Sequence, residues 1–207
     1  MRRLSMAVAI LAAGVVVFSS SSAYAIVIEF VPSSQGIALG GPAEVDLVIS
    51  GLGDSTAPSL STFDLDVSSN PAILSLSVSG VRYGDPVLGD QLDLLGLGSK
   101  TLTTVGVGSV NLFELSFDLP DDLNTHQAGA FTLATLTFVT VGTGIGTLEL
   151  SINALGDAGG GPLTAEMRSA SVTVRSAGIP VPEPSALALL ATGFVGLGAA
   201  AWRWPRR

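Results

Sequence analysis

Phe63-Asp-Leu-Asp-Val67 alternates apolar and acidic residues one for one. In an extended chain Phe63, Leu65 and Val67 face one way and Asp64 and Asp66 the other, because successive strand side chains point to opposite faces. The same period of two recurs outward from this stretch. Upstream are Val27-Ile-Glu-Phe-Val31 and Glu44-Val-Asp-Leu-Val-Ile49. Downstream, Leu74, Leu76 and Val78 alternate with Ser75, Ser77 and Ser79. Leu112–Leu119, Phe131–Val141, Thr147–Ile152 and Ala170–Val174 continue the pattern. Gly, Pro, Asn and Asp clusters separate the runs, and none carries the 3.6-residue period of an amphipathic helix. Eight or nine short strands without helices predict an all-β fold, an antiparallel β-sandwich of the jelly-roll kind, spanning 26–176.

Composition agrees and sets limits. The chain has 207 residues and no cysteine, so a disulfide framework, a thiolate metal site and a cysteine nucleophile are all excluded. Between Ile26 and Pro184 four bases face 17 acids, a net charge of −13. Such a surface repels the phosphates of nucleic acids, which are bound through Lys and Arg. It keeps an exported domain soluble and attracts cations. The mean hydropathy of +0.59 is high, and much of the excess lies at the two ends.

Each end reads as an address. Met1-Arg2-Arg3 is a basic start, Met6–Phe18 an apolar run, and Ala23-Tyr-Ala25 a small-x-small cleavage site. This is the order of a secretory signal peptide over 1–25, with cleavage expected after Ala25. Arg2-Arg3 alone does not make a twin-arginine signal, so the general secretory route is expected.

At the other end, Pro180, Pro182 and Pro184 forbid a helix or an internal strand and make 177–184 a stiff linker. Ser185–Ala201 would span about 25 Å as a helix at ~1.5 Å per residue, enough for a thin bilayer. Trp202 and Trp204 suit the interface, and Arg203, Arg206 and Arg207 should stay cytoplasmic. Residues 185–207 are thus expected to be a transmembrane helix with a basic tail.

Val181-Pro-Glu-Pro-Ser185, the apolar stretch and the basic terminus together resemble the PEP-CTERM sorting signal over roughly 180–207. The resemblance implies that an exosortase reads Pro182-Glu183-Pro184 in the inner membrane, while Arg203, Arg206 and Arg207 retain the tail. It also implies delivery to the cell surface or an exopolysaccharide matrix of biofilm type. Here Trp204 and Pro205 interrupt the basic cluster.

The middle of the chain also resembles a cohesin-like domain, of the β-sandwich superfamily that includes carbohydrate-binding modules. The resembling pieces are Ala43–Leu52, Leu60–Leu76 with Asn70-Pro-Ala-Ile-Leu74, Leu133–Phe138, Leu148–Ile152 and Asp157-Ala-Gly159. The resemblance implies a non-catalytic module that binds a protein or a polysaccharide.

Few residues suit chemistry. His126 is the lone histidine, in Asp121-Asp-Leu-Asn-Thr-His-Gln127, which reads as a solvated loop. Asp64 and Asp66 share a strand face. Asp85, Asp90 and Asp93 crowd a Gly- and Pro-containing loop, and Asp157 stands in another. Their oxygens make them candidates for calcium, the one cofactor considered, although no EF-hand spacing is present. Tyr83, beside Arg82, is a candidate binding-loop residue. The Gly-rich stretches 96–108, 142–146 and 156–161 lack a phosphate-loop pattern around Lys100 and read as turns and hairpin tips.

The expectation is a non-enzymatic, exported surface protein. A cohesin-type module docking a protein, and a secreted polysaccharide hydrolase, are the alternatives. The hydrolase needs two carboxylates in a cleft, one with a raised pKa.

Overall fold

The computed structural model describes residues 25–176. The signal-peptide residues up to Tyr24 and the linker, motif and apolar tail from 177 onward lie outside the described residues. Twelve strands and one short helix follow in chain order: β1 (Ile26–Val31), β2 (Ser34–Ala38), β3 (Pro42–Ser50), β4 (Leu60–Ser69), β5 (Leu74–Ser75), β6 (Val81–Tyr83), β7 (Ser99–Gly106), β8 (Ser109–Ser116), α1 (Pro120–His126), β9 (Ala130–Thr140), β10 (Gly144–Asp157), β11 (Ala165–Arg168) and β12 (Ala170–Arg175).

The strands form two six-stranded sheets. One runs β11-β1-β3-β9-β5, with β6 also pairing to β9; the other runs β2-β12-β10-β4-β8-β7. Most pairings are antiparallel, but β1 with β11 and β2 with β12 run parallel. The expected sandwich is therefore present as two mixed sheets, with more strands than the alternation revealed.

The core lies between the sheets. Phe30, Leu47 and Ile49 come from the first sheet, and Phe63, Leu65, Leu112 and Val172 from the second, all buried with Leu136 and Phe138 of β9. Full burial of a side chain of this size stabilises by about 1.5–3 kcal/mol. The stretch Phe63–Val67 behaves as its alternation demands, with Phe63, Leu65 and Val67 buried and Asp64 and Asp66 turned outward.

Four local expectations are corrected. Residues 121–127, read as a loop, are helical up to His126: α1 makes about two turns. Pro120 stands at the helix start with Asp121 and Asp122 in the first turn, a favourable arrangement for the dipole, and Leu123 anchors it. One buried residue in seven leaves no periodic signal.

The alternation from Leu74 to Val78 stops early. β5 is two residues long, and Val78–Gly80 is a 3-10 turn. The Gly-rich stretch 96–108 is not only turns, since most of it is β7, a strand rich in Thr and poor in apolar residues. Tyr83 is no binding-loop residue. It lies on β6, its ring stacks on Phe63 at 6.3 Å, and its hydroxyl donates to the Leu102 carbonyl at 2.8 Å.

Candidate functional site

Strand β8 contradicts its own hydropathy. Alternation alone would bury Phe113 and Leu115, in line with Phe117 and Leu119, and expose Leu112 and Glu114. The pairing of β8 with β4 sets Leu112 opposite Leu65 and Val110 opposite Val67. A one-residue choice of register flips every side chain to the other face. Val110, Leu112 and Glu114 therefore point into the sandwich, while Phe113 and Leu115 point out. Past the strand end, Phe117 and Leu119 are 54% and 63% exposed.

The outward face of β4, β8 and β7 is consequently mixed. Asp64, Phe113 and Leu102 stand in one row across the three strands, and Thr62, Leu115 and Lys100 in the next. Leu102 is 55% exposed and Leu115 38%. The apolar surface runs on toward the loop before β7. There the Phe117 amide donates to the Gly98 carbonyl at 3.3 Å, beside exposed Leu95 and Leu97.

Asp64 and Asp66 border this apolar area, and two amides hold them. Asn111 of β8 donates to Asp64 at 2.6 Å and to Asp66 at 2.9 Å. Asn153 of β10 donates to the same two carboxylates at 3.1 and 2.9 Å. Asn153 sits at a register shift between Ile152 and Ala154, a bulge that aims its amide over both acids. The amides fix the carboxylates without neutralising them. Among the described residues, the ion pair found is Arg168 with Glu29, in the other sheet. Asp64 and Asp66 were legible as a pair; Asn111 and Asn153 were not, because one lies on a distant strand and the other at a bulge.

The calcium candidates each accept hydrogen bonds from backbone amides. Asp85 accepts from the backbone N–H groups of Val87, Leu88 and Thr132 at 2.8, 2.9 and 2.9 Å. Burial pushes its carboxyl up, but those backbone donors outweigh it and hold it below its ordinary range. Asp90 accepts from the Leu92 amide, Asp93 from Gly98 and Asp157 from Gly161. Each closes a local turn. Among the described residues no group of three or more His, Cys, Asp or Glu side chains is arranged to hold a metal. His126 is exposed at the end of α1, with Nδ1 against the Asp122 carbonyl at 3.0 Å.

Glu114 was missed by the sequence reading. Its side chain is 1% exposed, and Ser99 Oγ donates to it at 2.6 Å. Burial pushes its carboxyl up to about 8, and the nearby charges of Asp90 and Asp93 add to the rise against the pull of the Ser99 bond. The signal for it was the in-register position with Val110 and Leu112, which the competing apolar period of Phe113 and Leu115 concealed.

One hollow opens between the sheets at the β7–β8 turn, lined by residues including Val67, Pro71, Leu74, Val107 and Phe138; a shallower groove runs along Pro162–Glu166 beside Ala25 and Ile26. Glu114, Asp90 and Asp93 line neither.

The comparisons bear on both the tail and the sandwich. The PEP-CTERM protein-sorting motif matches residues 180–207. No curated protein sequence matches the chain. Among solved structures, a type I cohesin–dockerin complex from Clostridium thermocellum is similar at 13% identity and a TM-score of 0.56, over 73% of this chain and 99% of that one. A non-cellulosomal cohesin from Archaeoglobus fulgidus is similar at 14% identity and a TM-score of 0.53, over 74% and 94%. The seventh ScaB type I cohesin from Pseudobacteroides cellulosolvens is similar at 14% identity and a TM-score of 0.56, over 77% and 97%. The chain thus carries a PEP-CTERM sorting motif, and its sandwich has the fold of a cohesin.

Proposed function

We propose that this is an exported surface protein, delivered through its C-terminal sorting signal, whose sandwich docks a protein partner without catalysis. An exosortase reads Pro182-Glu183-Pro184 while the apolar tail holds the chain transiently in the inner membrane. Processing then leaves the sandwich at the cell surface or in an exopolysaccharide matrix. The partner surface is the outer face of β4, β8 and β7.

The observation that carries the docking role is the inverted facing of β8. A solitary exposed Leu needs no explanation, but a contiguous apolar area is a mark of an interaction site. Phe113, Leu115 and Leu102 form such an area on rigid strands, with Phe117 beyond the strand end. Asp64 and Asp66 at its border favour a partner that places a basic side chain beside its apolar anchors. The cohesin fold supports the reading, since one similar structure is a cohesin–dockerin complex.

The hydrolase alternative has one observation in its favour, the raised carboxyl of Glu114 beside Asp90. Glu114 is nevertheless closed off from solvent, and neither carboxylate lines the hollow at the β7–β8 turn or the groove along Pro162–Glu166. A general acid must come within hydrogen-bond reach of its substrate. The docking reading therefore stands first.

The test is site-specific photo-crosslinking in the surface-delivered protein. A crosslinker at Leu102 should capture a discrete partner band, one at Thr173 on β12, toward the other edge of the same sheet, should not, and Phe113→Arg should abolish the Leu102 band. Equal labelling from both positions would overturn the reading.

A further inference from the structure

The two sheets do not match in length at every corner. β5, an end strand of its sheet, is two residues long, and the chain leaves it through Leu76 for the 3-10 turn Val78–Gly80. In the other sheet β7 and β8 are eight residues each, and their hairpin turns at Val107 and Gly108. A long hairpin opposite so short a strand leaves the sheets unmatched, and a hollow of about 270 Å³ opens between them.

The walls of the hollow are held in place. Val67, Leu74, Val110 and Phe138 line it from both sheets, and all four are buried. Ser69 follows Val67 on β4 by two positions, the spacing that keeps strand side chains on one face, so its hydroxyl is turned inward too. The Ser69 amide donates to the Gly108 carbonyl at 2.8 Å, which ties the hairpin turn to the end of β4. Gly108, at φ +72°, lies so close that a side-chain carbon on it would stand 2.8 Å from the Ser69 carbonyl oxygen and 2.9 Å from Pro71 Cδ. Backbone therefore fixes this wall, while Val107 at the tip of the turn is 91% exposed beside the mouth.

Size and lining select the ligand. A cavity of about 150 Å³ holds benzene, and sites for drug-sized molecules begin at about 300 Å³, so this hollow suits a single ring. Among the described residues that line it, none is ionisable. A charged group entering it loses water without gaining a partner. An anion also meets the field of a segment whose net charge is −13.

We propose that this hollow is a binding site for a small uncharged molecule of one ring and one hydroxyl, its ring among Val67, Leu74, Val110 and Phe138 and its hydroxyl on Ser69 Oγ. The site is separate from the proposed docking face. It lies on the inner side of the strands, at the end where Ser68, Ser109 and Gly106 align; the docking face is on the outer side, and Thr62, Leu115 and Lys100 mark its other end.

The probes are benzyl alcohol, toluene and benzoate, each titrated into full-length protein in lipid nanodiscs with labelled Val and Leu methyl groups. Benzyl alcohol should shift the methyl resonances of Val67, Leu74 and Val110 and leave that of Leu155, opposite Phe63 toward the far end of β4, in place. Benzoate should bind at least ~10-fold more weakly, because its charge must be desolvated. The lipid takes up more of the alcohol than of the anion, which makes that difference a lower bound. Ser69→Ala should weaken benzyl alcohol about fivefold, the worth of one hydrogen bond, and leave toluene unchanged. Ser69→Leu, which places a side chain in the hollow, should abolish binding of both at an unchanged urea midpoint; should that variant fail to fold, the shift map of the parent still decides. Unmoved Val67, Leu74 and Val110 methyls, or equal affinity for benzoate and benzyl alcohol, would overturn the site. Full affinity of Ser69→Ala for the alcohol would overturn the role given to the hydroxyl.

Discussion

Ser99 Oγ donates to Glu114 at 2.6 Å on the inner side of β8, while Phe113, the residue before Glu114, points to solvent on the outer side. A buried carboxyl and a half-buried aromatic ring on the outer face, back to back on one strand, invert the ordinary preference of each. The sheet accepts this because β4 fixes the register through Leu65–Leu112 and Val67–Val110.

The first consequence is a pH dependence. The Glu114 carboxyl titrates near 8 in the fold, raised from 4.5. Between those values the unfolded chain has released the proton and the folded chain still holds it. Folding then binds a proton, so stability falls as pH rises from about 4.5 to about 8 and levels above. Glu114→Gln should flatten this fall and be more stable than the parent at pH 9. Urea midpoints of both proteins at pH 5, 7 and 9 would show it; parallel curves would refute it.

Two phenylalanines should respond oppositely to truncation. Phe63 is fully buried, and Phe63→Ala should cost about 3–5 kcal/mol. Phe113→Ala, on the outer face, should shift stability by less than about 1 kcal/mol while weakening partner binding. A large loss of stability from Phe113→Ala would mean that β8 packs the other way round.

Gln127 ties three segments together. Its amide accepts from the Leu60 N–H at 2.6 Å and donates to the carbonyls of Leu60 and Gln91 at 2.8 and 2.9 Å, all in a site with no solvent exposure. Gln127→Ala would leave those backbone groups unpaired and should cost about 2–3 kcal/mol. Hydrogen exchange should show the Leu60 amide losing protection first; an unchanged melting midpoint would count against this role.

The tail makes its own prediction. Glu183→Ala should block processing and leave full-length protein in the membrane of an exosortase-bearing host. Intact-mass analysis of membrane and surface fractions reads the outcome, and normal maturation of the variant would sink the sorting role.

Sequence alone determined the fold class and the C-terminal sorting motif. Strict alternation in Phe63–Val67, Glu44–Ile49 and Ala170–Val174 is a local property, since any extended chain with that pattern must bury one face. The sorting tail is legible for the same reason: its motif, apolar run and basic cluster are contiguous in the chain.

What the sequence left open was long-range. β2 and β7, poor in apolar residues, exist because neighbouring strands offer hydrogen bonds to their backbones. Asn111 and Asn153 meet Asp64 and Asp66 across 45 to 89 residues of chain. The facing of β8 was the largest such case. Its own residues favour burying Phe113 and Leu115, and the pairing with β4 overrides them, because a strand inside a sheet must satisfy its neighbour's register along its whole length. That decision, made in tertiary structure, buried Glu114 and turned Phe113 and Leu115 outward to form the candidate docking face.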